Sequence, residues 1–146
     1  MKVLFDTSVL VAAFVESHPA HSYAFKWLQK ARTKQIEFLI SSHTIAELYA
    51  VLTVLPVTPT ITPGIVIRLI KENVLTAARV ITLDHKDYRT VITGLAGLGI
   101  TGGTVYDGLI ARAAKKAGAD KLLTLNQRDF KRVAPDLSPI ICSVRF

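Results

Sequence analysis

Short runs of almost entirely apolar residues recur along this chain and alternate with segments of helical spacing. A strand that is apolar on both faces is typical of a sheet covered by helices on both sides. Strands that alternate with helices imply right-handed crossovers and a mainly parallel sheet. The sequence therefore predicts an α/β fold with strands at Lys2–Phe5, Ile36–Ser41, Arg79–Leu83, Lys121–Leu125 and Pro139–Val144.

The segments between these strands predict seven helices. Gly118 follows the sixth of them and is a favourable residue just beyond a helix end. The segment 56–64 contains three prolines and is predicted to be a loop. With 146 residues and no internal repeat, the chain is expected to form one domain over 1–146. The predicted helices are Thr7–Val15, Pro19–Lys34, Thr44–Leu55, Ile65–Val74, Asp84–Leu98, Thr104–Ala117 and Asp129–Val133.

The charge balance points to an anionic partner. The chain has 18 Lys and Arg against 11 Asp and Glu, a formal net charge of +7, and such an excess attracts polyanions, nucleic acid first. Half of the residues are hydrophobic, which excludes a disordered chain. A single cysteine, Cys142, excludes an intrachain disulfide and favours a reducing, cytoplasmic compartment.

Neither a secretory signal nor a membrane span is expected. The apolar N-terminal run is interrupted at Asp6, and no small-residue cleavage site follows it. The longest stretch without a charge, Leu48–Ile67, contains three prolines and cannot form a membrane-spanning helix.

Five polar residues occur where predicted strands end or predicted helices begin. Because the working site of a parallel sheet lies outside the carboxyl ends of its strands, these side chains are expected to project into one crevice. Their positions lie after the first strand, at the starts of two helices and after the fourth strand: Asp6, Glu47, Asp107, Asn126 and Asp129.

Helix capping is the alternative explanation for each of these positions. Asp6 can be a helix N-cap, and Asn126 with Asp129 can form another cap. The spacings Thr44-x-x-Glu47 and Thr104-x-x-Asp107 match the capping box, in which the acid bonds back to the backbone N–H of the cap residue. Capping explains any one position, whereas the coincidence of all of them at strand–helix junctions favours a shared site.

A cluster of carboxylates predicts a hard cation. Carboxylates within a few ångström of one another repel, so they must bind protons or share a cation. Oxygen ligands favour Mg²⁺ or Mn²⁺. Such an ion activates water for attack on phosphorus, and a basic surface around the acidic crevice would bind the phosphate backbone.

Four segments then resemble one family. They are Val3–Ser8, Ile45–Leu48, Tyr106–Ala111 and Leu122–Phe130, and they stand in the family's order along nearly the whole chain. The chain resembles the PIN-domain nucleases and, within them, the VapC-type toxins of bacterial and archaeal toxin–antitoxin pairs. The resemblance implies a three-layer α/β/α sandwich and Mg²⁺- or Mn²⁺-dependent hydrolysis of RNA that leaves 5′-phosphate and 3′-hydroxyl ends. It also implies an inhibitory protein antitoxin and commonly a homodimer.

The same resemblance assigns roles to individual residues. Asp6 would be the first metal ligand, with Glu47 and Asp107 as the second and third acids. The fourth position is often aspartate and here is Asn126, so the implied site holds one ion tightly and any second ion weakly. Asp129 would supply the missing charge. Residues expected to contact the metal shell or substrate phosphate are Thr7, Ser8, Asn126 and Arg128, and His43 lies near enough to Glu47 in sequence to touch substrate.

Other interpretations are compatible with the same sequence. A PIN-like domain with a weakened metal site could bind RNA or a protein partner without cleaving RNA. A receiver-like or phosphatase domain also places an aspartate at a strand end, but a D-x-D phosphatase needs an acid where Ser8 stands. The segment Gly97–Gly102 matches G-x-G-x-x-G, but no strand is predicted before it, which disfavours a dinucleotide site.

Overall fold

Five short strands form one sheet in the order β3-β2-β1-β4-β5, and every neighbouring pair is parallel. The structure is a computed structural model, and it describes residues 1–145. Within that range the strands are β1 (Lys2–Phe5), β2 (Glu37–Ser41), β3 (Arg79–Ile81), β4 (Lys121–Leu123) and β5 (Ile141–Cys142).

The helices connect these strands. Helix α4 continues into a wider turn over Ile70–Leu75, and single tight turns occupy Gly102–Thr104 and Pro135–Leu137. The helices are α1 (Thr7–Phe14), α2 (His21–Arg32), α3 (Ser42–Leu52), α4 (Pro63–Leu69), α5 (His85–Gly97), α6 (Val105–Ala117) and α7 (Gln127–Val133).

Alternate residues of the strands face two separate cores. In β1, Val3 and Phe5 pack with residues of α1, α2, α3 and α4, whereas Leu4 packs with residues of α6 and α7. The neighbouring strand β2 repeats the pattern, with Phe38 on the first side and Leu39 on the second. The predicted α/β/α sandwich with a parallel sheet is therefore confirmed, and its apolar strands follow from burial on both faces.

Helix α5 lies outside this arrangement and packs on α6. A Cβ atom at Gly108 would lie 3.0 Å from the side chain of Val91, so the glycine allows the two helices to approach closely. Asp84 and Asp87 form the capping box that begins α5, as expected for residues that open a helix. Asp87 is also buried against α6, where it accepts hydrogen bonds from Arg112 Nε at 3.0 Å and Lys116 Nζ at 2.7 Å.

The bounds of several predicted elements differ from those of the structure, and two differences bear on the predicted site residues. Helix α3 begins at Ser42 rather than Thr44, because the hydroxyl of Ser41 accepts a 3.2 Å hydrogen bond from the Thr44 N–H and caps the helix. Asp107 does not lie at a strand–helix junction, because α6 follows α5 and a short connection. Helix α6 leads into the amino end of β4, which is parallel to β1. The last turn of α6 therefore lies near the amino ends of the strands, and its first turn, with Asp107, lies near their carboxyl ends.

Candidate active site

A pocket of about 550 Å³ lies at the carboxyl ends of β1 and β4. Three carboxylates from three different parts of the fold border the pocket. Among the described residues, no Lys or Arg lines it. Its polar lining consists of Asp6, Thr7, Ser8, His18, Glu47, Asp107 and Asn126. The structure thus brings together the acids that the sequence placed at separate positions along the chain.

Asp6 is the most buried acid of the pocket. It follows the last residue of β1 and is only 3% exposed. It occupies the N-cap position of α1, but its side chain does not cap that helix. Instead, its Oδ2 accepts hydrogen bonds from Ser8 Oγ at 2.6 Å and from Thr124 Oγ1 at 2.9 Å. Burial raises the pKa of Asp6 above its ordinary value, although these two hydrogen bonds oppose the rise.

The two hydroxyls that donate to Asp6, those of Ser8 and Thr124, also fix the backbone after β4. Ser8 Oγ accepts a hydrogen bond from the Leu125 N–H at 3.1 Å, and Thr124 Oγ1 accepts one from the Asn126 N–H at 2.9 Å. Both hydroxyls therefore act as donor and acceptor at once. The position of Asp6 and the course of the chain towards Asn126 are set by the same pair of side chains.

Glu47 reaches the pocket from the second turn of α3. Because the helix begins two residues earlier than predicted, Glu47 lies too far from its start to form a capping box with Thr44. Its Oε2 lies 3.2 Å from Nε2 of His43, one helical turn earlier. The capping alternative therefore fails for Glu47, and its carboxylate is left facing the pocket.

Asp107 lies in the first turn of α6, and the side chain of Thr104 does not cap that helix. Burial and the negative charges of Asp6, Glu47 and Asp129 raise the pKa of Asp107 to about 7. An acid with this pKa is only partly ionised at neutral pH. Burial and the neighbouring carboxylates therefore disfavour full ionisation of Asp107.

The remaining predicted site residues differ in burial and in whether they line the pocket. Thr7 is buried, and its Oγ1 donates a 3.3 Å hydrogen bond to Thr44 Oγ1, which ties α1 to α3. Asn126 lines the pocket at the start of α7 without capping that helix through its side chain. Arg128 and Asp129 are exposed on α7 and do not line the pocket. The negative charge of Asp129 nevertheless contributes to the raised pKa of Asp107.

The donor set fits a hydrated divalent ion. Among residues 1–145, no three His, Cys, Asp or Glu side chains lie close enough together to ligate one metal ion. Mg²⁺ keeps several waters and binds through only one or two carboxylates, so it does not require three direct ligands. Three carboxylates around one pocket that no described Lys or Arg lines suit such an ion.

Comparison with known proteins decides the family. The sequence model of the PIN domain matches residues 3–135. This chain belongs to the PIN-domain family. Within the family it is similar to ribonuclease VapC40 of Mycobacterium tuberculosis, with 37% identity over 123 residues, 84% of this chain and 85% of that protein. Ribonuclease VapC27 of the same species is 34% identical over 115 residues, 79% of this chain and 78% of that protein.

A solved structure agrees with the fold of this PIN domain. The structure of VapBC-1 from nontypeable Haemophilus influenzae matches it with a TM-score of 0.68 at 20% identity, covering all of both chains. The resemblance to PIN-domain nucleases and VapC-type proteins predicted from four short segments is confirmed.

Sequence reasoning missed His18, which lines the pocket of the PIN domain, and Thr124, which holds Asp6 from beneath the pocket. Thr124 was assigned to a strand, although a polar residue directly after a buried strand is a signal of the carboxyl edge. His18 lines the pocket while its Nδ1 accepts a 3.0 Å hydrogen bond from the Ala20 N–H, and its spacing to other histidines gave no sign of this.

The other features set aside in the sequence carry no site in the described structure. Gly97–Gly102 begins at the last residue of α5, not after a strand, and leads towards α6 with positive φ angles at Gly99 and Gly102. Within residues 1–145, no helix is both long and apolar enough to cross a membrane.

Proposed function

We propose that this PIN domain, over residues 1–146, is a metal-dependent endoribonuclease and the toxin of a VapBC-type toxin–antitoxin pair. The observation that carries the proposal is the single pocket bordered by Asp6, Glu47 and Asp107. Burial and mutual repulsion, which together raise the pKa of Asp107, both disfavour its charged form, and a divalent cation, either Mg²⁺ or Mn²⁺, offsets them.

Each residue has a distinct task in this proposal. Asp6, Glu47 and Asp107 hold the ion, some of them directly and the others through water, and Asp129 adds negative charge beside Asp107. When bound, the ion supplies activation of water and stabilisation of charge on the phosphate oxygens. Thr7, Ser8, Asn126 and Arg128 contact the substrate or the shell of the ion. Ser8 has the further task of orienting Asp6, to which it is hydrogen-bonded.

The substrate is RNA, which is hydrolysed at its phosphodiester bonds. The net charge of +7 favours a polyanion, and the acids of the pocket require a cation before a phosphate can approach. Two proteins to which the chain is similar are named ribonucleases, VapC40 and VapC27.

The proposed partners are a cognate protein antitoxin and a second copy of the chain, in the cytoplasm. The similar structure from Haemophilus influenzae is VapBC-1, which supports a partner of the antitoxin kind. The single cysteine and the absence of a membrane-spanning helix in the described residues agree with this placement.

Cleavage of RNA by the Asp107→Asn variant tests the proposal. Wild-type protein should cleave a mixed RNA pool with Mg²⁺ or Mn²⁺ and stop when EDTA is added. The variant should lose at least about 100-fold in rate, since even residues around metal ligands cost 10–100-fold when they are changed. Full activity of Asp107→Asn would contradict the role of this residue.

A second function is favoured by one observation, the neutral Asn126 in the pocket. An amide is a weaker ligand than a carboxylate, and a weakened metal site would leave a domain that binds RNA or a protein partner without cleaving RNA. Binding of RNA by wild-type protein, with no cleavage of any RNA at millimolar Mg²⁺, would select this alternative.

A further inference from the structure

Glu47 differs from the other acids of the pocket in how its side chain is held. Asp6 is fixed by two hydroxyls, whereas Glu47 is about 30% exposed and has one hydrogen-bonding side chain, His43, among the described residues. A glutamate has three rotatable torsions, and ordering it costs rotamer entropy. Among the described residues, no side chain that lines the pocket hydrogen-bonds to Glu47, so the pocket itself does not hold this carboxylate in place.

His43 supplies the missing contact. Its Nε2 lies 3.2 Å from Glu47 Oε2, in the i, i+4 arrangement that brings two side chains together on one helix face. A protonated Nε2 donates a hydrogen bond to the carboxylate, and the neutral Nε2–H tautomer suffices for this. The bonded conformation is the one in which Glu47 lines the pocket, while His43 itself does not line it.

The ring of His43 is fixed in turn from a different helix. It stacks on the ring of Tyr106 with centroids 4.9 Å apart and planes 2° from parallel. Tyr106 directly precedes Asp107 in the first turn of α6. The stacked pair therefore joins the helix that carries Glu47 to the helix that carries Asp107, beside both carboxylates.

We propose that His43 is a positioning residue, which orients the Glu47 carboxylate towards the ion while Tyr106 fixes the imidazole ring. This inference rests on the proposed metal-dependent function. A partner that orients a ligand from outside the metal shell tunes affinity for the ion without touching substrate. Neither ring lines the pocket, so we expect the contribution of His43 to appear in metal affinity and turnover and not in the KM for RNA.

Four variants separate the hydrogen bond from the stacking. His43→Phe keeps an aromatic ring against Tyr106 but removes the donor, and His43→Gln keeps a donor within reach of Glu47 without the ring. Tyr106→Leu removes the stacked face. The matched control is His85→Phe, the same change at an exposed histidine at the start of α5.

The measurements are Mn²⁺ affinity by electron paramagnetic resonance and steady-state cleavage of RNA. His43→Phe should weaken Mn²⁺ binding by about 10-fold or more and lower kcat with little change in KM. His43→Gln should recover most of the affinity, Tyr106→Leu should lose part of it, and His85→Phe should match wild type. Equal Mn²⁺ affinity in His43→Phe and His85→Phe would overturn the inference.

Crystal structures of metal-free wild type and His43→Phe give a readout that does not depend on the ion. The Glu47 carboxylate should leave its pocket-lining conformation in the variant, and an unchanged Glu47 would overturn the inference by itself. Failure of wild-type protein to bind Mn²⁺ would count against the proposed function alone, because the conformation of Glu47 still decides the role of His43.

Discussion

The hydroxyl of Thr124 donates a 2.9 Å hydrogen bond to the carboxylate of Asp6, across 118 positions of sequence. The bond joins the chain just beyond β4 to the chain just beyond β1, two strands that are neighbours in the sheet. Since Thr124 also accepts the N–H of Asn126, one side chain sets the position of a buried acid and of the next pocket residue.

Replacing Thr124 by Val keeps the shape of the side chain and removes both hydrogen bonds. The free energy of unfolding should fall by about 1–3 kcal/mol, because a buried carboxylate oxygen and a backbone N–H lose a partner. The free energy of unfolding of Thr124→Ser, which keeps the hydroxyl, should decrease much less. Denaturant unfolding measures both, and a Thr124→Val variant as stable as wild type would show that the hydroxyl contributes nothing.

Removing the charge of Asp107 should stabilise the metal-free protein. The pKa of Asp107 is raised from 3.8 to about 7, so between these values the folded state binds more protons than the unfolded state. Stability in EDTA should therefore decrease as the pH rises from about 4 to about 7. Asp107→Asn should reduce this slope and melt at a higher temperature than wild type at pH 8.

Addition of Mn²⁺ should reverse that order at pH 8, because only wild type gains the binding free energy of the ion. Melting curves of both proteins, with EDTA and with Mn²⁺, make the comparison. A wild-type melting temperature that is independent of Mn²⁺ would contradict it.

Asp87 should govern resistance to acid. Hydrogen bonds from Lys116 and the Asp84 backbone hold the pKa of Asp87 below its ordinary value of 3.8. The stabilisation is therefore complete above pH 3.8 and is lost as the pH falls through the lower pKa of the folded state. Asp87→Asn should be less stable than wild type at pH 7, and the difference should shrink below about pH 4.

The measurement for Asp87 is urea unfolding between pH 7 and pH 2, with Glu16→Gln, a change at an exposed acid, as the control. A stability difference that stays constant across this range would show that ionisation of Asp87 contributes nothing.

Arg128 should contribute to RNA affinity through charge alone. It is exposed on α7, two residues after Asn126, and it forms no ion pair among the described residues. Arg128→Ala should weaken binding of single-stranded RNA and reduce the slope of log K against log salt by about 0.7, the value for one phosphate contact. Titrations in an Asp107→Asn background keep the RNA intact.

The control for Arg128 is Lys26→Ala, which removes a cation from the exposed face of α2. An equal change of slope in both variants would show a general charge effect and no specific phosphate contact at Arg128.

The fold and the acids of the pocket were predictable because both depend on local pattern. Strands buried on two faces are uniformly apolar, and β1 was predicted with the bounds that the structure has, Lys2–Phe5. The end of α6 was predictable too, since Gly118 adopts the left-handed conformation, with φ of 63°, that favours glycine after a helix.

What could not be predicted depends on contacts between distant residues. The start of α3 was missed because the hydroxyl of Ser41, predicted only to end a strand, forms the cap. The stacking of His43 on Tyr106 joins two helices separated by a strand and two further helices, and neither residue has a local signal for it. The two hydrogen bonds of Thr124 are of the same kind.

Asp107 reaches the pocket from a helix whose outer side is covered by α5, not from the end of a strand. The acidic rim therefore draws on three parts of the fold: the end of β1, helix α3 and the paired helices α5 and α6. A larger side chain at Gly108, where α5 packs on α6, would therefore shift the neighbouring Asp107 and weaken the pocket without changing any residue that lines it.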